Sequence, residues 1–308
     1  STPFTTTGIV VDHSYHSAAF STDGNILALG KSNSSVNGTD SGNVQIYQYS
    51  DITSTWTQLG LDIQGEAAGD KCGAFIDLAL DGHTISIGSP FSANGRGHVR
   101  VFRYISNTWT QLGTNINGQL NGAGQAGEDC EISGDGNTVL VGAWNRIGSV
   151  RVFRYINNTW TQIGSTLLGD PSVAADSFPY YGKACDISDD GNIIVTCSYR
   201  YDGVRGRGQV YQYQNNSWIQ LGGDIIGHYP GGALGVSCGL SSDGYTVAFG
   251  GITAPNVTWK GYAVVYTYNN NNNSWTQVGN DMLGENANDI FGYTVSLSAD
   301  GKTLAVSS

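Results

Sequence analysis

Phe291-Gly292-Tyr293-Thr294-Val295-Ser296-Leu297-Ser298-Ala299-Asp300-Gly301-Lys302-Thr303-Leu304-Ala305-Val306 is the stretch whose reading decides the fold. Apolar and polar residues alternate up to Asp-Gly and again after it. A period of two marks a strand with one buried face. Asp-Gly between two such runs predicts a hairpin with a tight primed turn, since these residues tolerate positive φ. The phrase recurs around Asp23-Gly24, Asp81-Gly82, Asp135-Gly136, Asp190-Gly191 and Asp243-Gly244.

Two further phrases repeat in step with it. Gly42-Asn43-Val44-Gln45-Ile46-Tyr47-Gln48-Tyr49 has counterparts at 97–104, 148–155, 206–213 and 261–268. Trp56-Thr57-Gln58-Leu59-Gly60 recurs at 109–113, 160–164, 218–222 and 275–279, with a weakened copy in Phe4-Thr5-Thr6-Thr7-Gly8. One unit therefore reads as four strands. Two flank Asp-Gly, the third is the Val/Tyr phrase and the fourth is the Trp phrase. The Asp-to-Asp spacing of 53–58 residues is that of propeller blades. The expected fold is an all-β, six-bladed propeller of four-stranded antiparallel blades in one domain, 1–308. Repeats start near residues 12, 70, 125, 181, 235 and 291. The last has only its first two strands, so residues 1–11 are expected to complete it. The competing reading is a fragment of a longer array.

The quoted phrase resembles the FG-GAP type of propeller repeat, which also builds the head of integrin α chains. The resemblance covers the whole chain and implies an extracellular interaction module. It also raises calcium, held in that family by an Asp-x-Asp-x-Asp-Gly loop. Here the loop is Ser-x-Asp-Gly, and one carboxylate per turn is too few. Carboxylates between repeats offer a weaker ion site: Glu66 and Asp70, Glu128 and Asp129, Asp170 and Asp176, Glu285 and Asp289.

Numbered from each turn Asp, positions -5 and -3 are apolar in every copy, and positions +4 and +6 are Leu27 and Leu29 in the first copy and Val247 and Phe249 in the fifth. An Asp-Gly turn pairs -5 with +6 and -3 with +4, placing all four on one face. Cys130, Cys185 and Cys238 occupy position -5, where other copies have Ala, Ile or Val. They read as small buried hydrophobes. Cys197 is the disulfide candidate, with Cys130 or Cys238 across a blade interface. Cys72 is left over in a loop.

Lys and Arg number 14 against 25 Asp and Glu, a net charge of -11. Scattered basic residues in an acidic chain argue against nucleic acid. No apolar run is long enough to span a bilayer. Sequons stand at Asn33, Asn37, Asn157, Asn215, Asn256 and Asn272. With the Ser1 start and the acidic balance, they lead us to expect a processed, secreted or cell-surface glycoprotein.

The turns on one side of the strands are monotonous. The loops on the other side vary and hold the unusual residues, so a ligand-binding face is expected there. Its candidates are Trp144, Arg146, Tyr180, Tyr181, Tyr199, Arg200, Tyr201, His228, Tyr229 and Trp259. Aromatic rings beside Arg and Asn suit a sugar or a protein surface. The five His are dispersed, and no nucleophile–base–acid set or nucleotide loop is readable. The expectation is a non-enzymatic adhesion or assembly module, whose partners are other extracellular proteins, copies of itself or glycans. A lectin-like binder is the alternative, and a glycan-processing enzyme is the third reading.

Overall fold

The computed structural model describes residues 16–119, 124–144, 147–170, 180–254 and 259–308. Five sheets follow one another along the chain, each a meander whose first four strands pair in sequence order. The first takes Ser17–Phe20, Ile26–Lys31, Asn43–Ser50 and Thr55–Gln58; the second Phe75–Leu78, Thr84–Ser89, His98–Ile105 and Thr108–Gln111. The third takes Asp129–Ile132, Thr138–Ala143, Ser149–Ile156 and Thr159–Leu168. The fourth takes Cys185–Ile187, Ile193–Ser198, Arg207–Gln214 and Ser217–Gln220, and the fifth Ser237–Leu240, Thr246–Gly251, Tyr262–Asn269 and Ser274–Gln277. A final hairpin pairs Val295–Leu297 with Leu304–Val306. The expected completing strand, residues 1–11, lies outside the described residues.

By contact density the chain divides into two compact units: Ser1–Gly136 with Tyr155–Trp160, and Asn137–Arg154 with Thr161–Ser308. In the first, Val44 and Ile46 of one sheet and Ile85 and Ile87 of the next share one apolar core. In the second, Val195, Val210, Val247 and Val264 do the same. The second strands Thr84–Ser89 and Ile193–Ser198 are buried along their whole length, because a neighbour covers each face.

The register matches the expectation. Ala18 pairs with Leu29 and Phe20 with Leu27; Cys238 pairs with Phe249 and Leu240 with Val247. The turn itself is different. A primed turn needs positive φ at its first central residue, and the turn Asp residues do not have it; only the Gly does, at 67° for Gly191. Gly191 N–H instead donates to Ser188 O at 2.9 Å, which makes a four-residue loop around an ordinary turn. Side chains lock it. Ser188 Oγ donates to Asp190 Oδ1 at 2.6 Å and accepts from Ile193 N–H at 2.9 Å, while Asn192 N–H donates to Asp190 Oδ1 at 2.9 Å. The same set recurs at Ser21/Asp23 and Ser241/Asp243. The glycine also has no room for a side chain. A Cβ on Gly191 would lie 2.6 Å from Thr138 Oγ1.

The tryptophans join neighbouring sheets. Trp109 Nε1 donates to Leu59 O at 2.7 Å, Trp160 to Leu112 O at 2.8 Å, Trp218 to Ile163 O at 3.1 Å and Trp275 to Leu221 O at 2.8 Å. Each packs on the last Tyr of its own third strand, as in Tyr213–Trp218 with centroids 5.1 Å apart. First strands are joined as well: Ile132 N–H donates to Asp77 Oδ2 at 2.9 Å and Leu240 N–H to Asp186 Oδ2 at 2.6 Å.

A fifth, two-residue strand, absent from the sequence reading, pairs with the start of the third strand in four sheets: Ile63–Gln64, Ile116–Asn117, Ile225–Ile226 and Met282–Leu283. It places the residue before it beside the third strand. That residue is Asp62, Asn115, Asp224 or Asp281.

All five cysteines are free thiols, so the disulfide expected between Cys197 and Cys130 or Cys238 is not formed. Cys197 and Cys238 meet as thiols; their hydrogen bond, with burial, pushes the Cys238 pKa well up. Cys130 Sγ faces Phe75 O at 3.6 Å. Among the sequons, Asn33, Asn37, Asn157, Asn215 and Asn272 are exposed, and Asn256 lies outside the described residues.

Ser188→Ala removes a hydroxyl bonded at both ends and leaves the buried Ile193 N–H unmet. We expect a loss of about 1–3 kcal/mol in urea unfolding. The same turn gives a pH signature. Burial raises the Asp190 pKa, but the bonds from Ser188 and Asn192 outweigh it and hold it below the ordinary value. Its stabilisation is then full above about pH 3.9 and disappears as pH falls through the lower folded pKa. Melting curves from pH 5 to 2 should show a smaller acid loss in Asp190→Asn than in the wild type.

Candidate functional site

The residues singled out from the variable loops gather into two clusters, both in the second unit. The first is a stack of rings. Trp144 follows the strand Thr138–Ala143, Tyr180 precedes Cys185–Ile187, and Tyr199 follows Ile193–Ser198. Trp144 and Tyr180 lie 4.9 Å apart at 14°, and Tyr180 and Tyr199 lie 4.7 Å apart at 24°. Lys183 Nζ sits 5.4–5.9 Å from all three centroids, and Arg200 Cζ is 4.8 Å from that of Tyr180. Burial first, and then Tyr180 beside it, push the Tyr199 hydroxyl up to about 12. These rings spend their faces on one another and on two cations, so the cluster is a packed wall of rings.

The second cluster has acid–base chemistry. His228 and Tyr229 lie in the loop after Ile225–Ile226 and reach the fifth sheet. His228 Nδ1 is 3.0 Å from Asp281 Oδ2, and Tyr266 Oη is 3.0 Å from His228 Nε2. Tyr229 Oη also donates to Asp281 Oδ2, and Gln277 Nε2 donates to Oδ1 at 2.8 Å. Burial pushes the Asp281 pKa up, but the bonds from His228, Tyr229 and Gln277 outweigh it and hold it below the ordinary value. An ionised Asp281 accepts, so Nδ1 carries the proton and Nε2 accepts from Tyr266. Burial first, and then the Asp281 charge, push the Tyr266 hydroxyl up to about 12, which keeps it a donor at neutral pH. The His228 side chain remains 34% exposed while that of Asp281 is 14% exposed. The imidazole is therefore held at both nitrogens while its side chain stays partly open to solvent.

Elsewhere the candidates scatter. Tyr181 is fully buried and packs with Val150, Val152 and Ile187, so it belongs to the core and not to the loop face. Tyr201 lies under Arg207, whose Cζ is 4.0 Å from the ring centroid. Trp259 is exposed at 45%. Arg146 lies outside the described residues. Among the described residues no three metal-ligating side chains gather. Of the carboxylates considered for calcium, Asp70 and Asp289 accept from Ala67 N–H and Asn286 N–H and cap their own loops.

Asp281, Tyr266 and Lys183 were missed in the sequence. Asp281 was detectable. In the Trp phrase the Gln reaches an Asp four residues on, as Gln58 to Asp62 at 2.6 Å, Gln220 to Asp224 at 2.8 Å and Gln277 to Asp281.

No protein-family model and no curated protein matches the sequence. Solved structures do. The hydrazine synthase of Kuenenia stuttgartiensis matches with TM-score 0.62 and 14% identity over 97% of this chain and 76% of that one. The periplasmic gluconolactonase PpgL of Pseudomonas aeruginosa matches with TM-score 0.61 and 16% identity over 94% and 77%. A putative 6-phosphogluconolactonase from Bacteroides uniformis matches with TM-score 0.61 and 14% identity over 94% and 76%. The likeness establishes the fold: an all-β propeller of four-stranded antiparallel sheets.

It also corrects the expected family. The neighbours are lactonase and hydrazine synthase propellers, not FG-GAP repeats of the integrin kind. The quoted phrase misled because alternation, a serine-locked Asp-Gly turn and close sheet packing answer to propeller geometry and not to one lineage. The expectation of a non-enzymatic adhesion module, with its lectin-like alternative, is corrected with it, since these neighbours are named as enzymes.

Removing the middle ring tests the first cluster. Tyr180→Ala opens Tyr199 to water, and its pKa should fall from about 12 toward the ordinary tyrosine value of about 10. Carbon-13 NMR titration of ring-labelled tyrosine reads this directly.

Proposed function

We propose that the chain is a hydrolase of lactones, with His228 as its proton-transfer residue. The observation that carries this reading is the clasp on His228, with Asp281 on Nδ1, Tyr266 on Nε2 and a side chain that stays about one third exposed. An imidazole held this way is equipped for general acid–base work. The substrate class rests on two fold neighbours named as gluconolactonases.

In the proposed step, water attacks the ring carbonyl and the new C–O bond forms as the ring ester bond breaks. Tyr266 takes a proton from the attacking water and passes its own to His228 Nε2. Asp281 offsets the charge of the imidazolium, which then protonates the departing ring oxygen. Products are a hydroxyl and a carboxylic acid on one open chain, and the acid releases its proton to solvent. The same reading keeps six blades, the last built on the hairpin Val295–Leu297 and Leu304–Val306.

The test is release of acid from a panel of aldonolactones above the spontaneous rate, followed with a pH indicator. His228→Gln should lower kcat by about 10²-fold or more. Tyr229→Phe keeps the His228 contacts and should cost less than about tenfold. A wild type inactive on every lactone, or an unchanged His228→Gln, overturns the reading.

A further inference from the structure

We propose a second ligand site: the groove between the first two sheets binds a carboxylate presented by a small hydroxy acid. The groove encloses about 530 Å³ between the residues after Gly60 and the third strand of the second sheet. That size suits a small molecule. Ile63, Phe102 and Trp109 give it an apolar wall, and Arg100 and Gln64 give it polar groups.

Arg100 is the anomaly. It is 5% exposed, yet no carboxylate among the described residues lies within ion-pair distance of it. Its Nη2 donates to Gln64 O at 2.7 Å and to Cys72 Sγ at 3.3 Å. Burial pushes the Cys72 pKa up, so that sulfur is a neutral thiol and does not offset the charge. Arg100 Nε is buried with no partner, and so is Gln64 Oε1. Asp62 lines the groove too, but its oxygens are taken by Asn43, Gln45 and Gln58. The Phe102 ring centroid lies 5.3 Å from Arg100 Cζ, but a ring face does not replace a counter-ion for a buried charge.

The repeat shows what is missing. Arg100 stands where the first and fourth sheets have Gln45 and Gln209. Those amides donate to Asp62 and Asp224, the acid at the end of the Trp phrase in their own sheets. In the second sheet that acid is Asn115. The cation is present and its carboxylate is not. A ligand carboxylate fills the gap, accepting from the guanidinium, and a neighbouring hydroxyl donates to Gln64 Oε1. An acceptor and a donor side by side describe a hydroxy acid, not a bare anion.

The site involves only residues of the first unit and does not rest on the hydrolase reading. The test is calorimetry on the full chain with sodium gluconate, and with sorbitol as the matched polyol that lacks the carboxylate. Gluconate should bind one per chain and sorbitol should not. Arg100→Gln and Asn115→Asp should each weaken gluconate by about tenfold or more, the second by giving Arg100 an internal partner. Asn115→Asp decides the matter if Arg100→Gln does not fold. His228→Gln should bind gluconate as the wild type does. No binding at about 10 mM, a Kd unmoved by Asn115→Asp, or loss of binding in His228→Gln overturns the proposal. Gluconate binding without lactone hydrolysis supports the groove while removing the hydrolase.

Discussion

Each tryptophan indole that reaches back to the preceding sheet is the contact on which the rest depends. Trp109, Trp160, Trp218 and Trp275 all donate to the carbonyl of the fourth residue of the previous Trp phrase. A four-stranded sheet has two apolar faces and cannot bury both alone. The indole fixes the distance at which the next sheet covers the first, and its ring adds apolar area to the contact. The glycines follow from that distance. Gly60 carries the indole of Trp109 so closely that a Cβ would lie 2.8 Å from Cδ1. Spacing in the sequence is spacing between sheets, which is why the three phrases keep step.

The turns then become rigid for a separate reason. Ser188 and Asp190 satisfy backbone N–H groups that the loop leaves unpaired, at a place where the neighbouring sheet excludes water. An Asp repeated in every unit invites a reading as a metal or catalytic site. Its oxygens are already used by its own loop. Repetition here reports a structural demand made by every sheet, and function has to be sought where a sheet departs from the others.

That principle accounts for how much of the molecule was legible. The four main strands of each sheet, their order and their register were readable because alternation, Asp-Gly and the Trp phrase are local and repeated. The turn type was misread because the deciding atoms are the Ser and Asp side chains, and letters alone do not show that Gly191 N–H turns back to Ser188 O. The short fifth strand was missed because two residues carry no period. At the site, His228 and Tyr229 stood out as unusual loop residues, while Asp281 looked like one more polar residue after Gly279. Only the fold brings a loop of the fourth sheet against the fifth. Tyr181 was misplaced for the opposite reason: adjacent to the exposed-looking Tyr180, it turns inward where the strand begins.

One repeat position shows how a structural device becomes a chemical one. Asp62 binds Asn43 and Gln45 of its own third strand, and Asp224 binds Arg207 and Gln209. Both are satisfied at home. In the fifth sheet those third-strand positions are Tyr262 and Val264. Asp281 is left to bind His228 and Tyr229 from a neighbouring loop. In the second sheet the acid itself is replaced by Asn115, and the third strand carries Arg100 in place of an amide. One change frees a carboxylate to orient an imidazole; the other leaves a guanidinium without its carboxylate. Both arise by breaking a pair that the first and fourth sheets keep, and both leave a polar group with capacity for something outside the sheet. The scaffold tolerates this because both sheets keep the indole contact and the Asp-Gly turn, although the second sheet has Ala79 where the fifth has the locking Ser241.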